Sequence, residues 1–216
     1  MLLLHHRFPT TFKSRRSIVG SRFFMFKTMI KEFNTYLEKV DTHYWNNLCK
    51  EMGTLRTFKA GEEIISLGKV GQFLGLIKSG TVKYTAFTSE GEERIIGLEA
   101  ADGFAASWPF CLRDIPSLVS IIAITDCEIY CVPVSFIRER GQTDFEFERK
   151  IEHATEQLFH TAYDRLVDLY ILSPKERYEK MLQRCPQMFE LFTFKDIASY
   201  LNISTQHLFR IRKEIE

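Results

Sequence analysis

FLGLIKSGTVKYTAFTSEGEERIIGLEAADGF, residues 73–104, decides the fold. Apolar, β-branched and aromatic side chains come in short segments, and glycines in polar settings separate them: KSGT around Gly80 and SEGE around Gly91. Segments of this kind read as strands, and the glycine turns between them as hairpins. The same character runs from Leu55 to Val134, through GEEIISLG on one side and LVSIIAITDCEIYCVPV on the other. Gly61, Gly68, Gly71, Gly80, Gly91 and Gly103 punctuate it at hairpin intervals. Many short strands so spaced predict an antiparallel sandwich, jelly roll or barrel.

On both sides of this region the period becomes helical. Residues 31–52 place Tyr36, Leu37, Val40, Tyr44, Trp45 and Leu48 at three- and four-residue steps, and Gly53 ends the run. Beyond Pro133 a short helix fits Val134–Arg140 and stops at Gly141. A long helix follows over about Asp144–Leu172, with Phe147, Ile151, Ala154, Leu158, Ala162, Leu166 and Leu169 along a stripe. A helix of this length with such a stripe suits a coiled-coil-like seam, so self-association is expected; the alternative is that it packs on the β region. SPKE, Ser173–Glu176, then opens a new helix: Ser173 caps, Pro174 sits where no amide partner is lost, and Glu176 closes a capping box.

The chain has 216 residues, 45% hydrophobic and 26% charged, values ordinary for a globular protein with one or two cores. No apolar run approaches membrane-spanning length. Net charge is +1, but residues 1–28 hold six basic and no acidic side chains (Arg7, Lys13, Arg15, Arg16, Arg22, Lys27), leaving −5 on the remaining 188. That basic stretch has the composition of an organellar transit peptide. A mis-assigned start, with initiation at Met25 or Met29, is the preferred reading, because globular patterning begins only at MIKEFNTYLEKV. Five cysteines lack the spacing of a secreted disulfide framework. Cys127 and Cys131 resemble a ligand pair, yet four strand residues separate them by about 13 Å, too far for a disulfide or a shared metal. Buried reduced thiols are expected.

The last stretch, FTFKDIASYLNISTQHLFRIRKEI, fits a helix-turn-helix. Ile197, Leu201, Ile203, Leu208 and Ile211 supply the apolar contacts between two helices, with the small Ala198 at their closest approach. Asn202 falls where the turn requires a left-handed residue, and Ser204 can cap the second helix. That helix projects Thr205, Gln206, His207, Phe209, Arg210, Lys213 and Glu214 outward. Gln206 and Arg210 are four apart and share a face, and their side chains suit adenine and guanine edges in a major groove. Lys195, Arg212 and Lys213 suit phosphate contacts.

A β domain, a long helix and a terminal helix-turn-helix, in that order, resemble the Crp/Fnr family of bacterial transcription regulators, most of all its Bacteroidetes-type members. The resemblance spans about residues 31–216 and rests on FKAGEEIISLG, GLIKSGTVKY, ADGFAASWPF, SIIAITDCEIYCVP and the C-terminal stretch. It implies an α+β chain: a cyclic-nucleotide-binding-like antiparallel β-roll, or jelly-roll, sensor domain (29–142), a dimerisation helix (143–172) and a helix-turn-helix DNA-binding domain (173–216). Residues 1–28 form an extension. The seam would use Phe147, Ile151, Ala154, Leu158, Ala162 and Leu169, and DNA contacts would come from Lys195, Ser204, Thr205, Gln206, His207, Arg210, Arg212 and Lys213. Implied partners are double-stranded DNA, a second copy of the chain and RNA polymerase, in a bacterial cytoplasm.

Three departures qualify the resemblance. Cyclic-AMP-binding members hold the phosphate with a Gly-Glu and a later Arg; here Ala106 or Ser107 stands at the glutamate and Ser117 at the arginine. Cyclic AMP is therefore not expected, although Arg113 is near in sequence. Trp108, Phe110, Ser117 and Thr161 still make a candidate pocket for an unknown effector. Iron–sulfur chemistry is not expected, since only Cys49 precedes the β region; His153 and His160 are the sole candidates for haem and read better as solvated or core histidines. Many members add a β-wing after the recognition helix, which is absent before Glu216. Catalysis is not expected either: Leu55–Val134 contains no histidine for a cupin-type metal, and no hydrolase triad, phosphate-loop or dinucleotide fingerprint occurs. No cofactor is expected. The rival reading is a ligand-gated, non-catalytic protein-interaction module.

Overall fold

The computed structural model describes residues 42–215. The 1–28 extension, and the first part of the predicted 31–52 helix with Tyr36, Leu37 and Val40, lie outside the described residues. Helix α1 spans Thr42–Met52. Strands follow at β1 (Thr54–Phe58), β2 (Glu63–Ile65), β3 (Phe73–Ser79), β4 (Val82–Phe87), β5 (Glu93–Glu99), β6 (Phe104–Ala105), β7 (Ser120–Ala123) and β8 (Cys127–Pro133). They form two four-stranded sheets, in the orders β1-β8-β3-β6 and β2-β7-β4-β5, with antiparallel pairs throughout. This is the antiparallel β-roll that the glycine-punctuated segments predict. Gly80 and Gly91 sit at the β3–β4 and β4–β5 turns with φ of 94° and 80°, a region closed to most side chains.

Strand alternation assigns the two faces. On β3, Phe73 and Ile77 enter the space between the sheets, while Leu74 and Leu76 face the helical layer. On β8, Cys127, Ile129 and Cys131 point inward and Val132 outward. The inner core also takes Phe58, Ile65, Val82 and Ile121. Each fully buried side chain of this size contributes roughly 1.5–3 kcal/mol. Gly75 leaves no room for a side chain within its own sheet: a Cβ there would lie 2.7 Å from Ile129 Cγ2 on β8 and 2.9 Å from the Ala105 carbonyl on β6.

Helix α2 covers Val134–Thr143 and α3 Phe145–Ile171, the latter capped by Asp144, whose side chain accepts from the Phe147 amide. The sequence reading stopped α2 at Gly141, but the helix runs through it. A Cβ at Gly141 would lie 3.1 Å from Ile151 Cδ1, so the glycine serves the close approach of α2 and α3. The apolar stripe of α3 divides. Phe147, 1% exposed, with Ile151 and Ala154, packs on α1 and the outer face of β3 and β8. Farther along, Phe159, Tyr163, Leu166, Leu169 and Tyr170 are exposed.

The chain then folds into α4 (Pro174–Arg184), α5 (Met188–Leu191), α6 (Phe194–Tyr200) and α7 (Thr205–Ile215). The Ser173–Glu176 capping box is present, and Thr193 and Asp196 form a second one at the start of α6. Tyr178, Met181, Met188, Ile197, Leu201, Leu208 and Ile211 share a core with Ile95 and Leu98 of β5. Strand β5 is the edge of its sheet, and α6 lies against it: the Ile95 amide donates to Ser199 Oγ at 3.0 Å. Among the described residues, no helix is long and apolar enough to cross a membrane.

Candidate functional site

The site residues expected from sequence fall in two places: a cavity under α3 and the outer face of α7. The cavity, about 380 Å³, lies between the second sheet, the segment leading to β7, and α3. Trp108, Phe110, Ser117 and Thr161 all line it, so the four predicted pocket residues are brought together. The ring of Trp108 meets Trp45 edge-on at 5.7 Å, and its Nε1 donates to Thr155 Oγ1 at 2.9 Å. The Ser117 hydroxyl donates to the Val119 carbonyl at 2.7 Å, and the Thr161 hydroxyl back-bonds to the Gln157 carbonyl at 3.0 Å. Ala106 and Ser107 also line the cavity, whereas Arg113 is exposed and lies outside its lining.

Four further lining residues with polar side chains, Tyr84, Glu99, Arg165 and Tyr200, were not singled out from sequence. Tyr84 donates to the Phe104 carbonyl at 2.8 Å and accepts from the Ala106 amide at 3.3 Å, which fixes β4 to the strand forming the floor. Burial, reinforced by the nearby Glu99 carboxylate, pushes the Tyr84 phenol far above its ordinary range, so it stays a neutral hydrogen-bonding group. Arg165 donates to the Ile96 carbonyl at 2.8 Å and lies 4.3 Å over the ring of Tyr200. Arg165 falls one helical turn after Thr161, a spacing legible in the sequence. Tyr200 belongs to α6 and has no such signal. Glu99 and Arg165 are the charged residues of the lining.

The second place begins with the turn between α6 and α7. Asn202 adopts φ 54°, and the Ser204 hydroxyl accepts from the His207 amide at 3.1 Å, so the turn and the cap match their sequence signals. Arg177 reinforces the turn, donating to the Leu201 carbonyl at 3.1 Å and to the Leu172 carbonyl at 2.7 Å. Leu208 and Ile211 anchor α7 inward. Lys195, Ser204, Thr205, Gln206, Arg210 and Lys213 are exposed, and His207 is half-buried. Arg212 is half-buried too, its guanidinium 4.6 Å over the Phe189 ring.

Among the described residues, the thiols and imidazoles gather into no cluster. All five cysteines are free and buried, and among the described residues no cluster could hold a metal ion. His153 and His160 are exposed, and His160 lies 3.2 Å from Asp164.

Residues 55–144 match the family model described as Cyclic nucleotide-binding domain. A comparison with curated proteins finds no match. Among solved structures, FixK2 from Bradyrhizobium japonicum aligns with a TM-score of 0.67 at 19% identity, over 76% of this chain and 84% of its own. A protein described as a transcriptional regulator of the Crp/Fnr family from Eubacterium rectale aligns with a TM-score of 0.59 at 17% identity, over 84% and 86%. CLP, a c-di-GMP-responsive global regulator from Xanthomonas campestris, aligns at 0.58 and 15%, over 81% and 91%. Residues 55–144 of this chain thus match a cyclic nucleotide-binding domain, and the chain shares the fold of these solved structures.

Proposed function

We propose that the chain is a cytoplasmic, homodimeric, sequence-specific DNA-binding transcription regulator with no catalytic activity. The observation that carries this reading is the two-sided character of α7. Leu208 and Ile211 lock it to the body, while Gln206, Arg210 and Lys213, at helical steps of four and three, stay exposed on one face. Gln206 and Arg210 would read base edges, and Lys195 and Lys213 would hold phosphates. Arg212, stacked on Phe189, supports α7 from beneath and adds positive charge near the backbone. Two such helices related by a twofold axis would enter successive major grooves about 34 Å apart, so the operator would be an inverted repeat.

The exposed part of α3 supports the dimer. Phe159, Tyr163, Leu166 and Tyr170 recur at steps of four, three and four, the spacing of a pairing seam. The seam therefore draws on this outer stretch and on Leu169 and Ala162, while Phe147, Ile151 and Ala154 serve the protomer's own core. RNA polymerase fits as a downstream partner, and the cavity fits as the place where an effector acts.

The test is selection of bound sequences from random duplex DNA with the purified full-length chain, followed by two variants on the selected site. Arg210→Ala should cost about 1–3 kcal/mol and relax one base position. Lys213→Ala should weaken all sequences alike and lower the salt slope by about 1. Equal losses on selected and random DNA for both variants would refute the assignment of the reading face.

A further inference from the structure

We propose that the groove where α3, α4 and α6 meet binds one tetrahedral oxyanion, phosphate or sulfate, as the counter-ion of a cluster of cations. The groove is distinct from the cavity under α3, although Arg165 and Tyr200 touch both, and it encloses about 60 Å³. One water needs about 10–15 Å³ of such space, so there is room for about four to six groups of that size. Phosphate and sulfate, a central atom with its tetrahedron of oxygens, fit; a nucleotide does not.

The lining brings together Arg165 of α3 with Arg177, Lys180 and Arg184 of α4, against the single carboxylate of Asp168, an excess of three positive charges. Lys180 and Asp168 pair with each other. Arg165 donates to the Ile96 carbonyl, and Arg177 to the Leu172 and Leu201 carbonyls. A carbonyl orients a guanidinium without neutralising it, and each guanidinium keeps further N–H donors. Arg177 Nε is buried and has no hydrogen-bond partner. The half-buried guanidinium of Arg184, at the end of α4, makes no ion pair or hydrogen bond among the described residues. A buried donor without an acceptor is unfavourable, and so are like charges crowded into a recess. An oxyanion relieves both, and guanidinium forks match the edges of its tetrahedron. A neutral molecule would leave the charge, and a cation would add to it.

The anion is a structural ion in this account. Seated in the groove, it lies against the last turns of α3 and the inner side of α4, with Tyr200 and Leu201 closing the third wall. It joins the Lys180–Asp168 pair in holding α4 to α3. The inference stands on the groove and its charges and does not rest on the regulator reading above.

The experiment uses the full chain, dialysed into chloride and titrated with sodium phosphate or sodium sulfate in a calorimeter at fixed ionic strength. Each anion should bind saturably at one site per chain, with a dissociation constant of about 1 mM or below. Arg184→Gln should keep the native circular dichroism spectrum, since that side chain has no partner to lose, and should weaken both anions at least about tenfold. Lys69→Gln, on the exposed loop between β2 and β3, should change affinity less than about twofold. About 5 mM of either anion should raise the Tm of the native chain and leave that of Arg184→Gln unmoved, a difference that general salting effects do not produce. On saturation, hydrogen exchange of the α4 amides should slow while that of α1 stays the same. Binding only above about 50 mM, or equal affinity in Arg184→Gln, would overturn the site and leave an adventitious ion only. Displacement of bound phosphate by random duplex DNA would overturn the free anion as occupant and give the groove to a nucleic-acid backbone. Unchanged exchange in α4 would overturn the placement between α3 and α4.

Discussion

Phe147→Ala separates the two roles that its position on α3 allows. The ring is 1% exposed and packs against Tyr44 at 6.3 Å and Trp45 at 5.8 Å, with the Arg140 guanidinium 4.5 Å over it. Removing a buried phenyl ring from such a setting costs about 3–5 kcal/mol, from lost transfer energy and the cavity left behind. The cation–π contact adds about 0.5–1 kcal/mol at this partly exposed arginine. For a chain of this size that corresponds to a fall in Tm on the order of 10 °C. Thermal and urea unfolding, followed by circular dichroism, should therefore show a large loss. The decisive feature is its dependence on concentration. A residue buried within one protomer lowers stability equally at about 2 and about 200 µM, whereas a subunit contact lowers it more on dilution. A loss below about 1 kcal/mol, or one that grows on dilution, would refute the placement of Phe147 in the protomer core.

The outer stretch of α3 should behave in the opposite way. Tyr163→Asp with Leu166→Asp, at positions 56% and 48% exposed, should leave the protomer folded and raise the dimer dissociation constant about a hundredfold or more; an unchanged dimer in sedimentation velocity would contradict the seam. Asn202→Val should cost about 1–2 kcal/mol because the turn requires φ 54°, whereas Asn202→Gly should be nearly neutral in thermal unfolding. The thiols should be inert: burial pushes Cys49 up to about 12 and Cys111, Cys131 and Cys185 up to about 11, so at pH 8 a disulfide reagent should label them only as fast as the protein unfolds. Their raised values also give a sign for pH: the stability is complete below about pH 9 and is lost as pH rises through 11 to 12, so the urea midpoint should fall over that window.

Local features were the most legible. The turns at Gly80 and Gly91, the Ser173–Glu176 box and the left-handed Asn202 each depend on a few adjacent residues, and the alternation along β3 and β8 reports two buried faces directly. The Thr193–Asp196 box depends on adjacent residues in the same way. The orientation of α3 was not readable, because it is apolar on more than one face. Its first turns bury Phe147 against α1 and the sheet, and its later turns present Phe159 and Tyr163 outward. The cavity was half legible: its aromatic wall follows from the segment around Trp108, but Tyr200 reaches it from α6, far along the chain. The Ser199–Ile95 contact joins residues 104 apart, and no local pattern announces it.

That contact has a consequence for how the chain can be divided. Strand β5 has β4 on one side and α6 on the other, with Ser199 taking the Ile95 amide and Arg165 the Ile96 carbonyl. A fragment ending at Leu172 would keep every strand and Arg165 yet lose α6 and the Ser199 contact. It would present an open strand edge beside Ile95 and Leu98, a template on which further copies can add. The β-roll prepared without its C-terminal helices should therefore be prone to precipitate, and the same exposure disfavours any working motion that lifts α6 clear of β5, leaving sliding along the strand as the gentler route.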